Sequence, residues 1–512
     1  MKSYNIIQLT NLILNTTFIT CCILELIFFP QLENIVGIFV TFFSFQLFKR
    51  FVFKREIVYQ RPFSFLAVLG LFLFMYLPIL ATLCDGHPIS FGMIQPIKTF
   101  CLQFLYFCIT ILAFHFSGKF SYRYRGISKL LNHFGYFTTP THKQIWILGF
   151  IGLLPKIYLM LNQYGEEMTA GGGFANMLSL LIYTPVVLLF HELYGGKKYN
   201  HPKRVYFYIA FLAVLGIASN SRNQVLYVLA TWILITMIHF IINKPIVYIK
   251  SLRKTFIITI FIAFFIPILA DLAFAMVAVR NERYGITAQE LFNKTWELYT
   301  DKEQLSKLKD LADRDTRKMA LQNIRSNWNE YYVNNIFLQR LCNYRVVDAS
   351  IFHAEKAGIP NSTMQENLIT KLELTYPTPI VKIFFGDINK ENYQYSPMDL
   401  LLAKSQNTAN RESYIVGGDV GLGISYFGNW YFFIQYICYF LLFYLIDNLI
   451  YKRKNYFIQY SFLGITLVYS FFSLFQVSSG ILTKFQYIIW GFPLSLSVHL
   501  ILYYFTRRIV IK

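Results

Sequence analysis

Hydrophobic positions along this chain come in long unbroken runs, not in the alternation of half-buried strands or the narrow stripes of soluble helices. Twelve runs stand out, at about 5–29, 34–48, 62–83, 97–116, 145–163, 177–195, 205–219, 223–243, 256–279, 428–450, 457–477 and 487–505. Most approach the roughly 17–25 apolar residues that a helix needs to cross a bilayer. They predict an all-α polytopic membrane protein with about twelve transmembrane helices. No cleavage-site pattern follows the first run, which therefore reads as a retained span. One long polar interval separates the ninth run from the tenth. The pattern thus divides the chain into a nine-span region (1–279), a large loop domain (280–427) and a three-span region (428–512).

The interval itself reads as mostly helical. "TAQE" at 287–290 fits a capping box, and a charged helix to about Asp313 follows it. A second helix is predicted over 316–357, stopped by Gly358 and Pro360, and "MQENLITKLEL" predicts a third. Residues 376–397 carry turn residues and no clear period. The glycines of "GGDVGLG" (417–423) would let the chain bend back toward the bilayer. They do not meet G-x-G-x-x-G and lack the strand that a dinucleotide site requires.

Composition agrees with the pattern: the chain is 55% hydrophobic and 19% aromatic, with mean hydropathy +0.43. The net charge of +20 changes the picture only through its distribution. Basic residues cluster in every second loop, around Lys49, Arg50 and Arg61, then Lys119 and Arg123, then Lys197 and Arg204, and again near Lys250 and Lys452. That alternation places those loops and both termini in the cytoplasm. Residues 280–427 hold 18 Lys+Arg against 18 Asp+Glu, so this loop belongs on the opposite, periplasmic face. The positive charge records topology and excludes a nucleic-acid partner. Of seven cysteines, Cys84 and Cys342 share the outer compartment in this reading, and one pair is no disulfide framework. No Cys/His spacing suggests zinc, and the reading calls for no metal and no cofactor. "DRD" at 313–315 reads as a solvated helix surface.

Four cations survive where the sidedness rule would delete them: Lys98, Lys156, Arg222 and Lys484. An ionised side chain within a span costs about 2.5–3.5 kcal/mol on insertion scales, so each needs a partner or a wet cavity. The plain explanations are snorkelling for Lys98 and Lys484, pairing of Lys156 with Glu25 or Asp271, and capping of the seventh span by Arg222. The functional one is a shared anion site for a lipid phosphate or pyrophosphate, to which arginine's planar fork is suited. In "QRLCNYRVVDASIFHAEKAG", Arg345 and Asp348 share a helix face, with Arg340 and His353 close by. An intrahelical ion pair and a surface histidine account for them; alternatively Asp348 or His353 is a general base and Arg340 or Arg345 contacts phosphate or sugar. Arg280 and Arg283, just after the ninth span, and Arg411 stand where lipid phosphates would lie, or serve as flanking anchors. Trp328, Tyr331 and Tyr332 recur at helical spacing as core, or as a sugar platform if exposed.

"LGIASNSRNQVLYVLATWIL" is similar to the apolar–Ser-Arg–apolar hairpin of bacterial O-antigen polymerases of the Wzy type. "GLGISYFGNWYFFIQYICYFLLFYLI" resembles the end of their large periplasmic loop, where a phenylalanine-glycine pair, here Phe427 and Gly428, opens the next span. "YPTPIVKIFFGD" resembles the proline-bearing stretch ahead of it. Asn223 replaces the family's usual glycine after the hairpin arginine, and an arginine-to-glycine spacing is met approximately from Arg411 to Gly421 or Gly423. The resemblance implies a glycosyltransferase of the bacterial inner membrane that joins polyprenyl-pyrophosphate-linked oligosaccharides. Membrane lipids, a chain-length regulator and a flippase are the partners it implies. An O-antigen ligase fits the same residues. A lipid-phosphate-sugar glycosyltransferase would carry its catalytic acid in a sizeable first outer loop, which here is only "PQLEN". A lipid-linked glycan flippase would have no use for a loop of this size.

Overall fold

The structure, a computed structural model, describes residues 3–124, 126–161, 177–218, 222–243, 246–248, 271–272, 274–276, 278–279, 288–311, 331–335, 338–386, 388, 390–393, 395–407, 415–452, 458–475 and 480–511. Its spans begin with α1 (Ile6–Phe28), α2 (Leu32–Phe51), the short α3 (Arg55–Gln60), α4 (Pro62–Cys84) and α5 (Pro96–Arg123). The small α6 (Gly126–His133) precedes α7 (His142–Leu161), and α8 (Met177–Tyr194) tightens to a 3-10 helix over Leu180–Phe190. Then come α9 (Pro202–Ala218) and α10 (Arg222–Asn243). The interval contributes α11 (Ala288–Thr300), α12 (Leu338–Leu341), α13 (Tyr344–Ala357), α14 (Ser362–Glu373), α15 (Thr378–Phe385), α16 (Pro397–Gln406) and α17 (Asp419–Phe427). The chain closes with α18 (Tyr431–Asp447), α19 (Phe462–Thr466), α20 (Val468–Phe472), α21 (Ile481–Gln486) and α22 (Phe492–Ile511), the last two joined by a π turn. Two three-residue antiparallel pairs, Ser3–Asn5 with Ile246–Tyr248 and Ile450–Lys452 with Ile458–Tyr460, are the sheet among the described residues.

By length and composition eight helical stretches among the described residues could cross a membrane, one of which, Asp419–Asp447, folds back on itself at Gly428. Two further expected spans are present as the helices α7 and α9, of 20 and 17 residues. The expected span at 457–477 is broken into α19 and α20 at Leu467, and that at 256–279 falls largely outside the described residues. α4 is the spine, with 72% of its apolar window buried, whereas 17% of α1's is. α1 accordingly shows Leu12, Ile13, Ile19 and Ile23 to its surroundings, as a lipid-facing helix does. Against lipid, apolar burial alone does not favour helix association, so close packing and polar contacts must hold the bundle. Phe48 and Phe72 stack with ring centroids 4.0 Å apart between α2 and α4. A Cβ on Gly152 of α7 would come within 2.3 Å of the Ile182 nitrogen of α8, so only glycine permits that crossing.

At one end, the basic face, Arg61 gathers α4, α5 and α18. Its Nε donates to Asp447 Oδ2 at 2.7 Å, its Nη2 to Ser117 Oγ at 2.9 Å and its Nη1 to the Phe114 carbonyl at 2.6 Å, while Ser64 donates to Asp447 Oδ1 at 2.6 Å. Arg55 Nη2 donates to the Ile242 carbonyl at 3.1 Å and so satisfies an orphan acceptor at the end of α10. The opposite end, where α4 stops and α5 starts, receives residues 331–357 and is called the loop face below.

Among the described residues, most of the interval shares the core of the spans. Tyr332, Val347, Ile351, Met364, Leu400 and Val420 join the same apolar cluster as the spans, while Ala275, Val279, Leu291, Leu298 and Leu305 form a small second one. Its helices also differ from expectation. The charged helix breaks at Asp301, whose Oδ1 accepts from Gln304 N at 2.9 Å and starts a new turn. Within the described part of the helix expected over 316–357, residues 331–335 are not helical, α12 is a single turn, and α13 starts at Tyr344, where the Asn343 side chain accepts from Val346 N and caps it. The patternless stretch 376–397 holds α15 and a 3-10 turn at Lys390–Tyr393.

The largest departure is at 417–447. Tyr439 OH lies 3.3 Å from Asp419 Oδ2, although a straight helix of twenty residues would separate them by about 30 Å. α17 and α18 are therefore an antiparallel hairpin, and its corner is Gly428, at φ +57°. Two of the "GGDVGLG" glycines lie within α17 and thin it on opposite sides, Gly421 toward α13 and Gly423 toward Tyr431 of α18. A Cβ on Gly421 would stand 2.4 Å from the Ser350 backbone, so α17 lies directly on α13.

Candidate functional site

Two carboxylates organise the loop face. Asp348, on α13, has no solvent exposure. Its Oδ1 accepts from Gln95 N at 3.0 Å and Thr99 Oγ1 at 2.7 Å, and its Oδ2 accepts from Ile94 N at 2.5 Å. These donors are the backbone N–H groups of Ile94, just ahead of α5, and of its N-cap Gln95, with a hydroxyl of the first turn, so Asp348 ties down the start of that helix and its charge complements the positive end of the helix dipole. Burial pushes its carboxyl above the usual range, and those three bonds with Arg345 pull against that. Arg345 is itself buried, donates to the Tyr331 carbonyl at 2.8 Å, and burial lowers its pKa. His353 is 3% exposed and shares a 2.8 Å hydrogen bond with Ser405 of α16. Burial, and then Lys356, lower its pKa to about 4. The surface histidine of the plain sequence reading is thus a buried one. Tyr332 is buried and donates to the Ile89 carbonyl at 2.5 Å, so it is core and no sugar platform.

The second carboxylate is Asp419, at the start of α17. Lys484 Nζ lies 2.9 Å from both of its oxygens, and Tyr106 OH donates to Oδ2 at 2.6 Å. Tyr106 is ten residues into α5, so the start of α17 lies about 15 Å below the start of that helix. Lys484 and Lys98, two of the four retained cations, thus have carboxylates of their own; Lys98 pairs with Glu355 of α13. Lys484 is fully buried and so is no snorkelling lysine, whereas Lys98 stays half-exposed at the surface. Asp271 is held by Lys302 and Lys309, and Glu25 accepts from Ile89 N at 2.7 Å.

The helices that carry the other two cations, α7 and α10, both pack on α8. Gly152 packs on Ile182, and Lys156, half-buried one turn further along α7, stands about 6 Å higher toward the loop face. On the other side Tyr183 of α8 stacks on Tyr227 of α10, with centroids 4.4 Å apart and an interplanar angle of 12°. Arg222, the first residue of α10, is five residues before Tyr227, or about 7 Å higher. Lys156 and the start of α10 therefore share one level beside the N-terminal end of α8. Tyr469 packs on Tyr227 at 4.4 Å, Ser470 hydrogen-bonds it, and Tyr487 neighbours it one turn below Lys484. A floor of tyrosines thus lies under Arg222, with the Lys484–Asp419 pair at a similar depth on its far side.

Arg280, Arg283 and Arg411 lie outside the described residues, as do the side chains of Arg222 and Arg340, with Trp328 and the Asp313–Asp315 pair. Sequence reasoning missed Asp419, Tyr106, Tyr439, Tyr183 and Tyr227. The available signal was one acid inside a glycine run immediately before an apolar one. Cys84 and Cys342 are both free. Among the described residues no group of three or more His, Cys, Asp or Glu is placed to hold a metal.

Comparison of the chain with protein-family models, curated proteins and solved structures finds no match. Fold and composition define a polytopic helical membrane protein.

Proposed function

We propose that this chain is a glycan polymerase of the bacterial inner membrane. In this reading twelve spans carry the basic loops and both termini in the cytoplasm, and residues 280–427 cover the periplasmic face. The hydroxyl oxygen of one lipid-linked repeat unit bonds to the anomeric carbon of another unit's glycan. The bond from that carbon to the pyrophosphate oxygen breaks, polyprenyl pyrophosphate leaves with the electron pair, and the hydroxyl proton is released. The observation that carries the reading is the shared level of Lys156 and the start of α10, over aromatic rings. Cations placed in advance where the pyrophosphate's charge develops stabilise the transition state, in surroundings where such interactions are strong. Holding two lipid-anchored substrates in line supplies much of the rest. Arg280, Arg283 and Arg411 contribute to lipid-phosphate binding in the same reading. Asp348, Arg345 and His353 are enclosed by their own contacts, which favours a supporting role: they fix α5, α13 and α16 against one another. A ligase would share all of this and differ in its acceptor.

The test is chain growth from polyprenyl-pyrophosphate-linked repeat units in proteoliposomes. Arg222→Ala should abolish polymer while the protein stays abundant, and Arg222→Lys should restore it partly, because an ammonium lacks the bidentate fork. Full polymer output from Arg222→Ala would overturn the reading.

A further inference from the structure

α15 begins beside Pro379 and ends at Gly386, whose φ of +86° stops the helix. Its inner side is fixed: Val381 is 1% exposed. Its outer edge is the reverse of what a water-facing loop requires, with Ile383 76%, Phe384 74% and Phe385 42% exposed in three consecutive positions. Three adjoining large apolar side chains at a helix end mark a surface that something covers.

What covers it follows from where the helix is tied. Tyr376, just ahead of α15, stacks on Phe385 with centroids 6.2 Å apart and meets Trp490 edge-on at 5.5 Å. Lys390 Nζ donates to the Tyr376 carbonyl at 2.8 Å and closes the loop behind the helix. Trp490 belongs to the final membrane-spanning stretch, Ile481–Val510, in the third of it nearest the loop face. Its neighbour Ile489 is exposed on the flank of that span, as are Ile501 and Phe505 further along. The apolar edge of α15 is thus continuous with a lipid-facing flank and lies two ring contacts from a tryptophan inside it. Tyrosine and tryptophan in this position are the usual markers of a membrane interface.

We propose that α15 is an interfacial helix, with Ile383, Phe384 and Phe385 seated among phospholipid acyl chains of the loop-face leaflet. Short amphipathic helices bind this way by lying in the interface plane with their apolar side in the acyl boundary. The proposal is independent of the chemistry assigned above.

Spin labels at Phe384→Cys and Ile383→Cys test it, in the full-length protein carrying Cys84→Ser and Cys101→Ser. The protein is placed in nanodiscs of phosphatidylcholine and phosphatidylglycerol, and the signal of the labelled background is subtracted. Collisional accessibility is read with molecular oxygen, which concentrates in lipid, and a nickel chelate, which stays in water. The exposed in-span position Ile501→Cys gives the lipid reference and the exposed position Glu366→Cys the water reference. Both α15 labels should resemble Ile501→Cys, with oxygen contact exceeding nickel contact several-fold. Nickel contact like that of Glu366→Cys would overturn the proposal. So would exclusion of both reagents together with label–label coupling between protein copies, which would mean that a second copy covers the edge.

Discussion

The hairpin region on the loop face and the cation level around α8 treat charge differently. In the first, the two organising carboxylates draw their partners from distant helices. Asp348 on α13 is satisfied by the start of α5, and Asp419 on α17 by Lys484 of α21 and Tyr106 of α5. Such contacts pin elements that apolar packing against lipid would leave free to slide. In the second, chain composition works against local neutralisation: residues 193–270, which contain Arg222, hold no Asp or Glu. Internal partnership reads as architecture. Under the proposed function, Arg222 is kept for a ligand and not for a carboxylate of its own segment.

The comparison breaks most visibly at Asp419. Asp419→Ala would leave Lys484 buried beside two tyrosine hydroxyls with no carboxylate, a situation that destabilises by about 3–5 kcal/mol. The expected readout is a large drop in the unfolding midpoint in detergent and in membrane abundance. Replacing both partners, as Asp419→Leu with Lys484→Met, should recover most of the loss, since the penalty belongs to the orphaned charge. If the single substitution is tolerated, the hairpin is not pinned by this pair.

A smaller effect is expected from His353. Its folded pKa of about 4 lies below the ordinary value near 6.5, so the unfolded chain binds the proton more readily. The associated stability is complete above pH 6.5 and is lost as pH falls toward 4. Between pH 7.5 and 4.5 the loss should be about 2–3 kcal/mol, and His353→Asn should remove this part of the acid dependence. An unchanged acid limb would show that His353 titrates as an exposed histidine does.

Most of the helical architecture was legible because the signals are local. Runs of apolar residues gave the spans, and Gly358 gave the end of α13 at Ala357. The failures involve contacts between residues remote in sequence. Nothing near Asp348 shows that its acceptors serve Gln95 and Thr99, and the pairing of Arg345 with Asp348 along one helix was a sound local guess that a distant helix end outcompeted. "GGDVGLG" was read as flexibility because glycine permits bending, whereas its small faces serve the approach to Ser350. α15 escaped because eight residues starting "TP" show too little period to register. Of the candidate site, the cations were visible as exceptions to sidedness. The tyrosine floor was not, since tyrosines in apolar spans are unremarkable until two of them stack.

The finest test separates architecture from binding at Lys156 and Arg222 themselves. If the Arg222 guanidinium served the fold by capping the end of α9, Arg222→Ala would cost about 0.3–1 kcal/mol, and lysine, which also complements a helix C-terminus, would restore all of it. If it serves a ligand, the unliganded protein should change by less than about 0.5 kcal/mol on substitution by either residue, as at sites without a structural partner. The discriminating signal is then the stabilisation that polyprenyl pyrophosphate confers: present in the parent, reduced in Arg222→Lys and absent in Arg222→Ala. Ligand stabilisation that persists undiminished in Arg222→Ala and Lys156→Ala would move the anion site away from α8, whatever the variants do to polymer length.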